Sequence, residues 1–156
     1  MAKIELLCIG NQKFRQLTEL EKNYEKKIAF FTPFKISTLK SAKLGDEKRS
    51  MKINGEKILE RAGNTNFIIS LDRQGKEYNS EQFGKLISDK LNYSNKNILF
   101  VIGDAPGLSG EVIKKSDAVI SFSKMTFAHD IFKIVFLEQL YRAFTITKKT
   151  GYHRDG

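Results

Sequence analysis

Three short runs with almost no polar break constrain this chain most: Phe67-Ile68-Ile69-Ser70-Leu71, Ile98-Leu99-Phe100-Val101-Ile102 and Ala118-Val119-Ile120-Ser121-Phe122. A strand with one wet face alternates polar and apolar residues, whereas a continuous apolar run suits a strand covered on both faces. Two further β-like runs, Lys3–Ile9 and Phe34–Leu39, bring the number of expected strands to five. Between the runs lie helical patterns. Phe14–Phe30 is charged, with apolar residues at Leu17, Leu20, Tyr24 and Ile28, and Lys48–Ala62 and Ser80–Leu91 follow. The last of these opens on Ser80, a good N-cap type. Strands alternating with helices predict an α/β domain with a largely parallel sheet covered by helices.

The chain has 156 residues, which fits one core and a single domain over 1–156. Hydrophobic residues make up 40% and charged residues 29%, ordinary values for a soluble globular protein. Ser41–Asp46 reads as a surface loop, not a linker. No apolar run approaches the roughly 20 residues that span a bilayer. Met1-Ala2-Lys3-Ile4-Glu5 does not open a signal peptide, so the expected location is cytoplasmic. The single cysteine, Cys8, allows no disulfide within the chain and no zinc set, and reads as a small core residue. No metal site is expected. The net charge of +9 suits a polyanionic partner such as nucleic acid, or simply a solvated lysine-rich surface. Because the lysines spread from Lys3 to Lys149, any RNA-binding face has to be assembled by folding.

The final helical pattern is unusually apolar. From His129 to Thr145 it carries Ile131, Phe132, Ile134, Val135, Phe136, Leu137, Leu140, Tyr141, Ala143 and Phe144. That is wider than one amphipathic stripe, so the helix needs cover on most sides. The cover comes from within the subunit or from a second copy, and a two-fold homodimer is the expectation.

Ligands of open α/β sheets bind outside the carboxyl ends of the strands. Three central strands end in informative segments: Leu71–Lys76, Gly103–Gly110 and Ser123–Thr126. If the strands are neighbours, these loops converge. Gly103, Gly107 and Gly110 permit close backbone approach, and Ser109 is placed to cap a short helix over Gly110–Lys115. The pattern is neither a Walker A loop nor G-x-G-x-x-G, so it fits an ordinary strand-to-helix turn as well as a ligand cradle. Asp72 reads as a turn former, and His129 fits a structural role or a catalytic one. His153 beside Tyr152 suits stacking on a base and proton handling, or else a frayed end. No Ser–His–Asp set or catalytic carboxylate pair can be assembled.

Taken in order, Leu99-Phe100-Val101-Ile102-Gly103-x-x-x-Gly107-Leu108-Ser109, Ser121-Phe122-Ser123-Lys124-Met125-Thr126-Phe127-x-His129, Glu138-Gln139-Leu140-Tyr141-Arg142-Ala143-Phe144 and Tyr152-His153-Arg154 resemble the ribosomal RNA large-subunit methyltransferase H family. Leu71-Asp72-x-x-Gly75-Lys76 upstream also matches. The resemblance implies the SPOUT class: an α/β fold with a C-terminal trefoil knot over about 98–150, a homodimer, and S-adenosyl-L-methionine as methyl donor bound in the knot. It implies methylation of N3 of a pseudouridine in large-subunit (23S) ribosomal RNA, on the assembled ribosome. Cofactor contacts carried over are Leu71, Gly103, Phe122, Ser123, Lys124, Met125, Thr126 and Phe127. From their chemistry and terminal clustering, Tyr152, His153 and Arg142 are the candidates for the reaction centre, with His153 as base, Arg142 holding an anion and Tyr152 stacking. The competing readings are a SPOUT methyltransferase with another RNA target and a non-catalytic ribosome-associated RNA-binding protein. Two positions depart from the family pattern: Asp104 stands where a second glycine is usual, and Ala128 where proline is usual.

Overall fold

The computed structural model describes residues 2–11, 13–64 and 66–152. The chain runs β1 (Ile4–Ile9), α1 (Arg15–Ala29), β2 (Phe34–Leu39), α2 (Glu47–Ala62), β3 (Asn66–Glu77), α3 (Ser80–Tyr93), β4 (Asn97–Ile102), α4 (Gly110–Lys115), β5 (Ala118–Ser121) and α5 (His129–Thr147). All five strands join one sheet in the order β2-β1-β4-β3-β5, and every pairing is parallel. The three apolar runs are the adjacent strands β4, β3 and β5, which places their carboxyl ends side by side.

Successive residues of a strand point to opposite faces, and the core divides accordingly. Leu6, Cys8, Ile69, Phe100 and Ile102 face a layer of α1, α3 and α5, where Ile28, Phe83, Ile87, Phe136, Leu137 and Leu140 meet them. Leu7, Ile9, Ile68, Leu99 and Val101 face α2 and α4 through Ile58, Ala62 and Val112. The connections from β1 to β2 and from β3 to β4 run one way along the sheet and place α1 and α3 on one face. The connections from β2 to β3 and from β4 to β5 run the other way and place α2 and α4 on the opposite face, as a single handedness of crossover requires. Cys8 is fully buried in this core, and burial pushes its thiol up to about 12, which leaves it inert near neutral pH.

Two expectations are corrected. The segment Leu71–Lys76 is not a free loop after a five-residue strand, because β3 continues to Glu77. Its pairing with β5 breaks after Leu71↔Ile120 and resumes at Lys76↔Ile120 and Glu77↔Ser121, so Asp72 to Gly75 form a bulge. Glycine at 75 makes the second pairing possible: a Cβ there would lie 2.6 Å from the Val119 carbonyl carbon and oxygen. The cap of α3 is Asn79, not Ser80. The Asn79 Oδ1 accepts from the Gln82 amide at 2.8 Å, and the Gln82 side chain accepts from the Asn79 amide at 2.9 Å. This reciprocal capping box satisfies two otherwise open donors. Of the two covers open to α5, the subunit itself supplies much through α1, α3 and the sheet. Ile131 remains 42% exposed, and Ile134 and Val135 are half-buried.

Candidate active site

The crevice lies where the strand ends meet. Ile9 and Gly10 close β1, Leu71 to Gln74 form the β3 bulge, Ile102 to Leu108 leave β4, and Phe122, Ser123 and Met125 to Asp130 run from β5 into α5. Together with Lys13, Phe14 and Phe132 they enclose a cleft of about 840 Å³. Of the carried-over cofactor positions, Leu71, Gly103, Phe122, Ser123, Met125, Thr126 and Phe127 line it. Lys124 does not: it lines a neighbouring hollow with Arg73, Gln74, Gly75 and Glu77.

Local chemistry shapes each wall. The β4–α4 loop is a tight turn in which the Gly107 amide donates to the Asp104 carbonyl at 2.7 Å. Gly107 has φ +92°, a left-handed geometry that favours glycine. A Cβ at Gly103 would fall 2.8 Å from the Gly107 carbonyl carbon, so the loop leaves bare backbone along the cleft. Ser109 caps α4 by accepting from the Val112 amide at 3.3 Å. In the β5–α5 connection, the Ser121 hydroxyl donates to the Ser123 carbonyl at 3.0 Å and the Met125 amide to the Ser123 hydroxyl at 3.0 Å. Arg73 reaches across from the bulge and donates to the Thr126 hydroxyl at 3.1 Å. Phe122 is fixed edge-on against Phe83 and Phe132, and Phe127 stacks on Phe132 at 6.1 Å.

The polar floor was not legible in the chain. His129, the first residue of α5, places Nδ1 3.2 Å from Asp130 Oδ1, and its Nε2 is buried without a partner among the described residues. Asp130 Oδ2 accepts from the Lys13 amide at 2.9 Å, tying the segment before α1 to the start of α5. Just below, buried Lys133 pairs with Glu21 of α1 at 2.8 Å. Asp104 accepts from the Ser41 hydroxyl in a short hydrogen bond and from the Ala105 amide at 2.9 Å. Burial opposes its ionisation, but the Ser41 and Ala105 donors and the neighbouring His129 and Lys43 outweigh it. The carboxyl is held below the ordinary value.

Arg142 and Tyr152 lie elsewhere. Arg142 is roughly 20 Å beyond His129 along α5 at about 1.5 Å per residue, and neither residue lines the cleft. They form their own cluster on Glu138: its Oε1 accepts from Arg142 Nη2 at 2.6 Å, Arg142 Nε at 3.0 Å and the Tyr152 hydroxyl at 3.1 Å. The guanidinium sits 4.9 Å from the Tyr152 ring centroid, and Tyr141 meets that ring edge-on. Burial, then the Glu138 charge and hydrogen bond, push the Tyr152 hydroxyl up to about 12. The hydrogen bond that Arg142 donates to Glu138 likewise raises Arg142. His153 lies outside the described residues. The spacing of Glu138 and Arg142, one helical turn apart, is the signal that would have found Glu138 from sequence.

No group of His, Cys, Asp and Glu able to hold a metal occurs among the described residues. No helix among them is long and apolar enough to cross a membrane.

Comparison with known proteins bears on this arrangement. The family described as "Predicted SPOUT methyltransferase" matches residues 2–153. A protein of Christiangramia forsetii named ribosomal RNA large subunit methyltransferase H is 41% identical over 153 residues, covering 96% of this chain and 98% of its own. Proteins of the same name from Flavobacterium psychrophilum and Streptococcus uberis are 37% and 33% identical, each covering 97% of this chain and 99% of their own. Among solved structures, a probable methylase family protein from Haemophilus influenzae Rd KW20 matches with a TM-score of 0.56 at 13% identity. That match covers 97% of this chain and 69% of the other, and speaks to the fold alone.

Proposed function

This chain belongs to the SPOUT methyltransferases and, among them, to the ribosomal RNA large subunit methyltransferase H family, and from that premise we propose that it methylates N3 of a pseudouridine in large-subunit ribosomal RNA with S-adenosylmethionine as donor. The observation that carries this reading is the convergence of Leu71, the Gly103–Gly107 turn and the Phe122–Phe127 segment on one cleft at the strand ends. The residues present fit the donor. Leu71, Ile102, Leu108 and Phe122 offer apolar walls to an adenine, and the glycine turn offers a backbone edge that a Cβ at Gly103 would fill. The buried Nε2 of His129, without a partner among the described residues, is a polar atom that a ligand can satisfy. Bound there, S-adenosylmethionine supplies an electrophilic methyl carried on a positive sulfur.

The protein's own task is to hold the base and move a proton. An imide N3 carries a hydrogen that has to leave before or during methylation. Tyr152, with its hydroxyl pushed up to about 12, stays neutral near pH 7 and serves by stacking and donating, not as the base. Arg142, tethered by Glu138, is oriented to stabilise an anionic base or a phosphate. His153 is assigned the proton-accepting role.

Because one subunit keeps Arg142 and Tyr152 away from its own cleft, we assign the complete site to a homodimer in which the second copy supplies these residues. The half-buried Ile134 and Val135 and the exposed Ile131 on α5 suit such a contact. The knotted connection over about 98–150 and a cytoplasmic place on the ribosome belong to the same reading.

Subunit complementation tests it. Gly103→Val damages the cleft and Arg142→Ala the distal cluster, so each homodimer should be inactive. A mixed dimer should recover one intact site and a substantial fraction of methyl transfer to ribosomal RNA, with mass mapping locating the methyl on the pseudouridine. No recovery in verified mixed dimers would refute the shared site. Methylation at another nucleotide would replace the proposed target.

A further inference from the structure

Asp104 is the feature of the cleft that the family reading does not absorb. It lines the cavity at the turn leaving β4, beside the end of β1: a Cβ at Gly10 would lie 3.9 Å from its Oδ1. Its carboxylate is fixed from two sides, by the Ser41 hydroxyl from the loop after β2 and by the Ala105 amide of its own loop. It forms no salt bridge among the described residues, although His129 and Lys43 stand near enough to favour its charged form. Two further carboxylates, Asp72 and Asp130, line the cleft. Asp130 is occupied by Lys13 and His129, and Asp72 Oδ1 accepts from the Gln74 amide at 2.9 Å. The chain as a whole carries +9 and therefore repels a cationic ligand.

We propose that Asp104 is a charge-selective residue of the donor site, making the cleft favour the positive sulfonium donor over the neutral thioether product. The proposal rests on the reading of the cleft as the S-adenosylmethionine site. The ligand changes charge during turnover. The methyl leaves sulfur with the bond to N3 formed, the N3 proton passes to the base, and the sulfur keeps the bonding electron pair and becomes neutral. A preformed carboxylate attracts the cation before transfer and has no net charge to attract afterwards. Being held by Ser41 and Ala105 already, it needs no reorganisation to act. Hydrogen bonds to the ionised form keep it charged at neutral pH.

The test is binding, not turnover. Wild-type protein, Asp104→Asn and Asp104→Gly are titrated calorimetrically with S-adenosylmethionine and with S-adenosylhomocysteine, and melting curves verify that each variant is folded. Wild type should favour the sulfonium ligand. Both variants should lose about tenfold for that ligand, the scale of one charge pair at several ångströms in a partly wet site, and less than about twofold for the thioether. The wild-type preference should shrink with added salt while that of the variants stays flat. Ser41→Ala keeps the carboxylate and should retain a preference. If it abolishes the preference as completely as Asp104→Asn does, loop geometry and not charge is responsible, and the proposal falls. An unchanged ratio in the Asp104 variants, or equal weakening of both ligands, overturns it as well. If wild type binds neither ligand at millimolar concentration, the donor-site reading itself fails and this inference with it.

Discussion

Tyr152 illustrates how burial and a carboxylate partner together set the ionisation of one residue. Its hydroxyl donates to Glu138, the carboxylate that also receives two hydrogen bonds from Arg142. Because the folded-state value is raised, to about 12, the contact stabilises the tail fully below the ordinary tyrosine value near 10. That stabilisation is lost as pH climbs from about 10 through about 12. Difference ultraviolet titration of wild type against Tyr152→Phe should show one tyrosine ionising near the upper end of that window, and Glu138→Gln should move it back toward 10. A Tyr152 signal near 10 in wild type would show that Glu138 does not hold it. Asp104 shows the opposite limit of legibility. Its identity as a departure is visible in the chain, but its brace, Ser41, stands far away in sequence, and no local pattern pairs them.

At the scale of elements, two joints hold the cleft. The first is the β3–β5 register, which resumes only because Gly75 lacks a Cβ. Gly75→Ala should cost about 1–3 kcal/mol through overpacking against the Val119 backbone, read by urea melts, and should displace Arg73 from Thr126. Unchanged stability would mean that β5 shifts freely. The second joint is the ion pair between buried Lys133 of α5 and partly exposed Glu21 of α1. Removing the Glu21 charge leaves the buried Lys133 ammonium without this counter-ion, so Glu21→Gln should destabilise by about 3 kcal/mol. The double change with Lys133→Met should recover much of that loss, and if it does not, the pair is not the relevant contact. Neither joint is written in local sequence. Asp72-Arg73-Gln74-Gly75 has the composition of a turn, and only the neighbouring strand draws it back into the sheet. The cap on Asn79 is a smaller case: Asn and Ser are both good caps, and the reciprocal reach of Gln82 decides between them.

For the whole molecule, charge and assembly are the quantities at stake. If the +9 surface meets ribosomal phosphates, log affinity for ribosomes should fall linearly with log salt, losing at least tenfold between 50 and 200 mM for a few contacts. Salt-insensitive binding would count against a phosphate-contacting face. What the amino-acid order determined by itself was the layered α/β architecture and the end of the sheet where a ligand goes. Both follow from local patterning: doubly covered strands are written as continuous apolar runs, and glycine-bearing turns sit at their carboxyl ends. What only the tertiary structure decided was the company each functional side chain keeps. Ser41 reached Asp104, Lys13 reached Asp130, and the rigid rise of α5 set Arg142 and Tyr152 apart from the cleft that adjacent motifs in the chain had suggested they shared. Those relations depend on long-range contacts and on helix length, which no short window of sequence encodes.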